Sequence, residues 1–576
     1  MPQTLNDILS ALQTAGIPFP KTPDYIENNL NPTFELRPYQ IEAFGRFLHY
    51  LDNDKLRQKP AQLLFHMATG SGKTLIMAGA ILHLYTKGYR NFLFFVNSTN
   101  IINKTRDNFL NPQSSKYLFA ETIAFGDKKV QIREVDNFQS TNDDCINIVF
   151  STIQGLHSRL NTPRENSVTY DDFIDKKIAL VSDEAHHINV DTKKGKLSVE
   201  ETDELISWET TVSRIFRSNN ENILLEFTAT IDLSIPEIVS KYSDKIIFDY
   251  PLKQFRIDGY SKEVKVLQSD VPLIQRALQA IVLSQYRRKV FEKYKKLIKP
   301  VLLFKSKTIA ESKTFYLEFI DKIKTLKKSE ITAILKSSDP VIKKCSNYFE
   351  SNGITIENLI EELKSDFSDE KCIEVNSKEE SEQKQIAVNT LENLNNEYRA
   401  VFAVDKLNEG WDVLNLFDIV RLYETRDADT KTGKPGKTTI AEAQLIGRGA
   451  RYCPFQIDDT QSKYQRKYDN DLDNELRICE ELYYHSAYNP KYIHELHNAL
   501  HEIGIKEKTA KEIQLELKMD FKESSFFKTG CVFKNDQIRY DRSGLFALPN
   551  TITEKLYHYN FQTGAVQSSL AFNDSP

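Results

Sequence analysis

At 576 residues the chain exceeds what one ordinary core supports, so two or three domains of about 100 to 200 residues each are expected. Hydrophobic residues make up 40% of it and charged residues 27%, which excludes a disordered or fibrous polypeptide. The net charge of −5 exerts no global pull on a polyanion, so any nucleic-acid affinity needs a local groove.

The amino terminus, MPQTLNDILSALQTAG, lacks the basic start and apolar centre of a secretory signal. No stretch is long and apolar enough to span a bilayer, so a cytoplasmic protein without membrane contact is expected. Six cysteines are scattered without a Cys-x-x-Cys pair; reduced structural thiols are expected rather than disulfides or a tetrahedral zinc site.

From about Leu36 to Asp249 short apolar runs alternate with helical patterns, as in a parallel sheet covered by helices. The runs Gln62 to Phe65, Asn91 to Val96, Ile146 to Phe150, Ile178 to Val181 and Ile223 to Phe227 read as buried strands. The first ends in His66-Met67-Ala68-Thr69-Gly70-Ser71-Gly72-Lys73-Thr74, and a helical run, Leu75 to Tyr85, follows. This context suits a phosphate-binding loop. Thr69 to Gly72 turn backbone N–H groups toward a phosphate, Lys73 holds the β and γ phosphates of ATP, and the Thr74 hydroxyl ligates Mg2+. Met67 stands where the strict pattern has its leading glycine.

Asp183-Glu184-Ala185-His186 follows the strand Ile178 to Val181. Strand-end carboxylates of such a sheet face its ligand crevice, so Asp183 is the candidate for Mg2+, partly through water, and Glu184 for polarising the attacking water. His187 beside His186 invites a zinc reading, which a missing third ligand disfavours.

A charged helix, Leu273 to Lys299, bridges to a second series of strands, Pro300 to Phe304, Ala400 to Val404 and Ile419 to Leu422, interrupted by a helical insertion over about 327–397. Two basic runs, Arg287 to Lys296 and Lys322 to Lys328, are candidate groove residues or simply solvated helix faces. Beyond Arg451 the segment Leu476 to Ile503 reads as helical and Ile513 onward as β-hairpins. The expected domains are therefore 1–262, 263–455 and a smaller α+β extension, 456–576.

The glycine loop, the DEAH sequence and Thr228-Ala229-Thr230 occur in the order of motifs I, II and III of superfamily 2 helicases, which they resemble. Phe34 to Gln40 resembles the adenine-recognition segment of those enzymes, with Gln40 on the base edge and Arg37 stacking on it; Ile231 stands where many relatives have proline. Leu407-Asn408-Glu409-Gly410-Trp411-Asp412 and Gln444-Leu445-Ile446-Gly447-Arg448-Gly449-Ala450-Arg451 resemble motifs V and VI. The resemblance implies two tandem RecA-like P-loop domains, with ATP and Mg2+ between them. The γ-phosphate needs a cation that arrives when the lobes close; Arg451 is the first choice, with Arg448 beside it. Gln444 is expected at ATP or its water. His186, Thr228, Thr230, Gly410 and Asp412 are expected to couple closure to a bound strand. Asn97, Ser98, Thr152, Gln154, Lys305 and Lys307 are expected at nucleic-acid phosphates, contacts that carry no sequence information.

The motif set and the tail from Arg477 to Tyr492 resemble most closely the ATPase subunit of type III restriction enzymes. That resemblance implies a DNA translocase or helicase in defence against foreign DNA, acting on duplex DNA with a modification methyltransferase subunit. No nuclease is expected at Glu516-Leu517-Lys518, which lacks a strand-borne aspartate partner; the nuclease is absent, on another chain or outside this sequence. An RNA helicase or remodeller with the same motor, and a nucleotide-gated defence sensor that does not translocate, are the alternatives.

Overall fold

The computed structural model describes residues 4–139, 141–162, 169–184, 199–229, 231, 236–376, 382–404, 411, 413–425, 435–505, 521 and 523–530. It divides into one compact unit, residues 1–508, and a second, 509–576.

The first unit holds two parallel sheets. In the amino-terminal lobe the strands are β1 (Ala61–Met67), β2 (Asn91–Val96), β3 (Ile123–Phe125), β4 (Lys128–Val130), β5 (Ile132–Glu134), β6 (Ile146–Thr152), β7 (Ile178–Ser182), β8 (Ile223–Thr228) and β9 (Ile246–Tyr250). Seven form one sheet in the order β5-β6-β2-β7-β8-β1-β9, and β3 pairs antiparallel with β4 apart from it. Alternate residues feed opposite faces: Phe92, Phe94 and Val96 join the core beneath the helices Pro38–Asp52 and Lys73–Thr86, while Leu93 and Phe95 join a second core. Burial on both faces explains why these strands read as continuous apolar runs.

The second lobe contains β10 (Glu263–Ser269), β11 (Val301–Lys305), β12 (Cys372–Val375), β13 (Ala400–Ala403), β14 (Leu416–Arg421) and β15 (Glu481–Ala487), in the order β10-β15-β14-β11-β13-β12. Two of these depart from expectation. The stretch at 327–397 holds helices at Lys328–Leu335, Pro340–Ser351, Ile356–Asp366 and Glu382–Asn389, but also β12, which extends the sheet beside β13. The segment Leu476 to Ile503, expected to be helical, contributes β15 between β10 and β14 before the helix Pro490–Glu502. No break therefore falls at 455; this sheet needs residues on both sides of it.

Much of the basic run of the helix Leu273–Lys293 is paired with carboxylates of the lobe. Arg287 is fully buried, 2.5 Å from Asp418, whose other oxygen meets His485 at 3.0 Å. Lys289 pairs with Glu362 at 2.7 Å and Lys293 with Glu475 at 2.6 Å. A charge run with so many carboxylate partners is lobe architecture rather than a polyanion groove.

In the second unit the described helix, Ser525–Thr529, sets Phe526 and Phe527 against the Phe521 ring. The expected hairpins from Ile513 onward lie, apart from residues 521 and 523–530, outside the described residues. Five cysteines, Cys145, Cys345, Cys372, Cys453 and Cys479, are free and buried. Among the described residues, no helix is long and apolar enough to cross a membrane.

Candidate nucleotide site

The phosphate loop leaves β1 at the sheet edge where β7 also ends. The parallel register His66 to Thr228 and Ser182 to Glu226 brings the loop, Asp183 and Thr228 to that one edge. Gly70 and Gly72 have φ of +83° and +77°, the left-handed region that favours glycine. Gly72 is the N-cap of Lys73–Thr86, and a Cβ there would lie 2.5 Å from Gln40 Nε2. The buried Ser71 hydroxyl has no hydrogen-bond partner among the described residues. A loop with two left-handed glycines, a helix N-terminus and a buried hydroxyl without a partner fits a phosphate chain.

Lys73 is buried, and its Nζ lies 3.8 Å from Glu184 Oε1. Glu184 has φ of +52°, uncommon for a side chain of its size, so the chain turns sharply where β7 ends. The Glu184 N–H donates to Asp183 Oδ1 at 3.0 Å. Burial pushes the Asp183 carboxyl up to about 6, with the Lys73 ammonium opposing and the Glu184 carboxylate adding to the rise. Such a perturbed acid beside a lysine marks a functional site rather than a surface pair. A divalent cation fits this donor set: Thr74 and Asp183 would hold Mg2+, which spreads phosphate charge as the γ-phosphoryl group departs.

The segment Phe34 to Gln40 is locked to the loop. Gln40 Nε2 donates to Ser71 O at 2.9 Å, the Tyr39 hydroxyl to the same oxygen at 2.8 Å, and Arg37 N to Gln40 Oε1 at 2.9 Å. Gln40 thus braces the phosphate loop. Arg37 lies over two rings, Tyr260 at 5.9 Å and Tyr464 at 5.0 Å. Tyr464 belongs to the polar segment after motif VI, which straps the linker between the lobes: Gln465 Nε2 donates to Asp258 O at 2.9 Å and Arg466 N to Gly259 O at 2.8 Å. Sequence reasoning passed over this strap, because nothing in a polar stretch tells which remote carbonyls it will meet.

The second lobe delivers Arg451 to the loop. A Cβ at Gly70 would lie 2.9 Å from Arg451 Cγ and Cδ and 3.0 Å from Nε, so the two residues touch. Arg451 is buried, Arg448 half-buried and Gln444 exposed on the helix Lys437–Gly449. Of the two arginines that spacing left open, Arg451 is in contact with Gly70.

The candidate phosphate contacts of nucleic acid divide. Asn97, Ser98, Thr152 and Gln154 stand at the ends of neighbouring strands, in register Val96 to Thr152. The Thr152 hydroxyl already caps the helix Ile153–Asn161, accepting from Gly155 N at 3.0 Å. Lys307 is exposed and donates to Thr425 Oγ1 at 3.0 Å. Lys305 departs from expectation: it is buried and its Nζ donates to Val404 O and Ser306 O, so its charge is spent inside the lobe. His186, Thr230, Gly410 and Asp412 lie outside the described residues.

Residues 33–233 match the family model described as type III restriction enzyme, res subunit, and residues 438–509 match a second, HI_1054_N, described as an N-terminal region. The chain is 38% identical over 457 residues to the Haemophilus influenzae protein named "Probable type III restriction-modification enzyme HindVIP Res subunit", covering 72% of this chain and 88% of that one. Among solved structures it is similar to the ATP-dependent type ISP restriction-modification enzyme LlaBIII bound to DNA, at 15% identity and a TM-score of 0.38 over 82% of this chain and 33% of that one. It is also similar to S. cerevisiae Dbp5 bound to RNA and ADP BeF3, at 12% identity and a TM-score of 0.40 over 82% and 93% of the two chains. With an extended match to the Haemophilus relative and two parallel-sheet lobes meeting at a phosphate loop, the chain belongs to the Res subunit family of type III restriction enzymes, ATP-dependent motors of the superfamily 2 type.

Proposed function

We propose that this chain couples hydrolysis of ATP with Mg2+ to movement along duplex DNA, in defence against foreign DNA and together with a modification methyltransferase subunit. The observation that carries the reading is the contact between Arg451 of one lobe and Gly70 in the phosphate loop of the other. A triphosphate seated on that loop meets a cation from the second lobe, so bond breaking is tied to the relative position of the lobes. Lys73 holds the β and γ phosphates, Glu184 orients and polarises the attacking water, and Arg451 neutralises charge that develops in the transition state. Asn97, Ser98, Gln154 and Lys307 supply sequence-tolerant phosphate contacts. No nuclease role is assigned to Glu516-Leu517-Lys518.

ATP turnover measured without nucleic acid and with single strands, duplex DNA and RNA tests this reading. Duplex DNA is expected to stimulate most, with ATP-driven displacement of a third strand from a triplex. Stimulation by RNA alone would turn the reading toward an RNA remodeller, and DNA-stimulated turnover without displacement toward a sensor.

A further inference from the structure

The linker that joins the lobes carries a lysine which the motor motifs do not include. Lys262 is 1% exposed, and its Nζ donates to Leu414 O at 2.7 Å, Gly449 O at 2.9 Å and Arg451 O at 2.6 Å. Three ammonium hydrogens meet three carbonyls, which saturates the group. Its own N–H donates to Ala450 O at 2.6 Å, and Ser261 forms an antiparallel bridge with Arg451. The ammonium also lies 4.6 Å from the centre of the Phe417 ring.

The carbonyls are not arbitrary. The helix Lys437–Gly449 ends at Gly449, so its last carbonyls lack helical partners and carry the negative end of its dipole. Leu414 follows the motif V segment and opens the approach to β14. One buried cation therefore ties the linker, the motif V side and the motif VI helix at the point from which Arg451 extends. Among the described residues Lys262 has no carboxylate within ion-pair distance, and burial pushes its ammonium down to about 7. Burying an amino group among carbonyls, away from water, is costly, which argues against a casual core lysine.

We infer that Lys262 is the positioning residue for Arg451, fixing the end of the motif VI helix so that the arginine lies against the phosphate loop. This rests on Arg451 acting at the γ-phosphate, as proposed above. Lys262→Met keeps most of the stem and removes all three donors.

The test is a double-mutant cycle in the full chain with Lys262→Met, Arg451→Ala and both together, read as kcat and KM for DNA-stimulated ATP turnover and as ADP binding. Lys262→Met is expected to lower kcat by about 100-fold, the scale of a displacement of about 1 Å at a reacting centre. KM and ADP affinity should stay within about 3-fold, because the loop itself is untouched. The double variant should be no slower than Arg451→Ala, since Lys262 acts through that arginine. Independent, multiplying losses overturn the inference, as does wild-type kcat in Lys262→Met when Arg451→Ala is inactive. Wild-type turnover in Arg451→Ala instead overturns the reading of Arg451 itself. If Lys262→Met does not fold, Lys262→Gln, which retains an amide donor, enters the same cycle with the same outcomes.

Discussion

The loop around Lys73 shows how few side chains carry the chemistry. Lys73 is buried, with its Nζ 3.8 Å from Glu184, the carboxylate proposed to polarise water. Replacing Lys73 with alanine removes a phosphate contact and little core volume; ATP turnover should fall by at least about 100-fold while the thermal midpoint changes little. Glu184→Gln keeps the shape and removes the base. It should bind ATP, measured by fluorescent-analogue titration, yet hydrolyse it about 100- to 10,000-fold more slowly. Near-normal hydrolysis would place the water-polarising group elsewhere. Both residues stood out in the sequence because the chemistry needs those residue types directly after apolar strands. Gln40 was legible only in part: its motif is local, but its bond to Ser71 O depends on how the helix Pro38–Asp52 packs beside the loop.

Among the elements, β15 decides where the second lobe ends. It lies between β10 and β14, with Leu482 and Tyr484 in one core and Tyr483 in another, and His485 against Asp418. A chain stopped at residue 455 loses that strand, leaving two strand edges open and Asp418 without one partner. It should expose the lobe to limited proteolysis and lose cooperative thermal unfolding, because unpaired strand edges and a buried carboxylate deprived of a hydrogen-bond partner are both destabilising. A chain stopped at 508 should keep the cooperative transition. A 455-residue fragment that melts like the full chain would falsify the assignment of β15 to this lobe's stability. The strand was missed because Glu481, His485 and Ser486 are polar, and aromatic spacing in the segment also fits a helix; burial of Glu481 and His485 is offset by Arg477, Tyr483 and Asp418, partners that only the fold assembles. β12 escaped for a related reason, being four residues long within a charged helical stretch.

For the whole molecule, the linker and its strap matter as much as the motifs. Arg451 on Gly70, Lys262 on the end of the motif VI helix, and Arg466 on the linker carbonyls join the two lobes around the nucleotide site. On the proposed role of Arg451 at the γ-phosphate, ATP bound between the lobes should therefore stabilise more than ADP, which lacks that phosphate. With Glu184→Gln to prevent turnover, ATP at about 100 times its Kd should add roughly 2.7 kcal/mol, visible as a raised thermal midpoint. Adding Arg451→Ala should reduce the ATP effect to that of ADP at equal concentration. Equal stabilisation by ATP with and without Arg451 would mean that the arginine does not read the γ-phosphate.

The sequence by itself determined the two-lobed parallel-sheet plan and the series of strand-end motifs that marks the family. Buried parallel strands must be apolar on both faces, and phosphate chemistry demands particular residues at strand ends, so both leave local signatures. Tertiary structure alone brought Arg451 against the loop, turned Arg287 and Lys305 inward, and set Lys262 on the end of the motif VI helix. Those outcomes depend on partners remote in the chain, and a charged residue spells the same whether its partner is water, a carboxylate or three carbonyls.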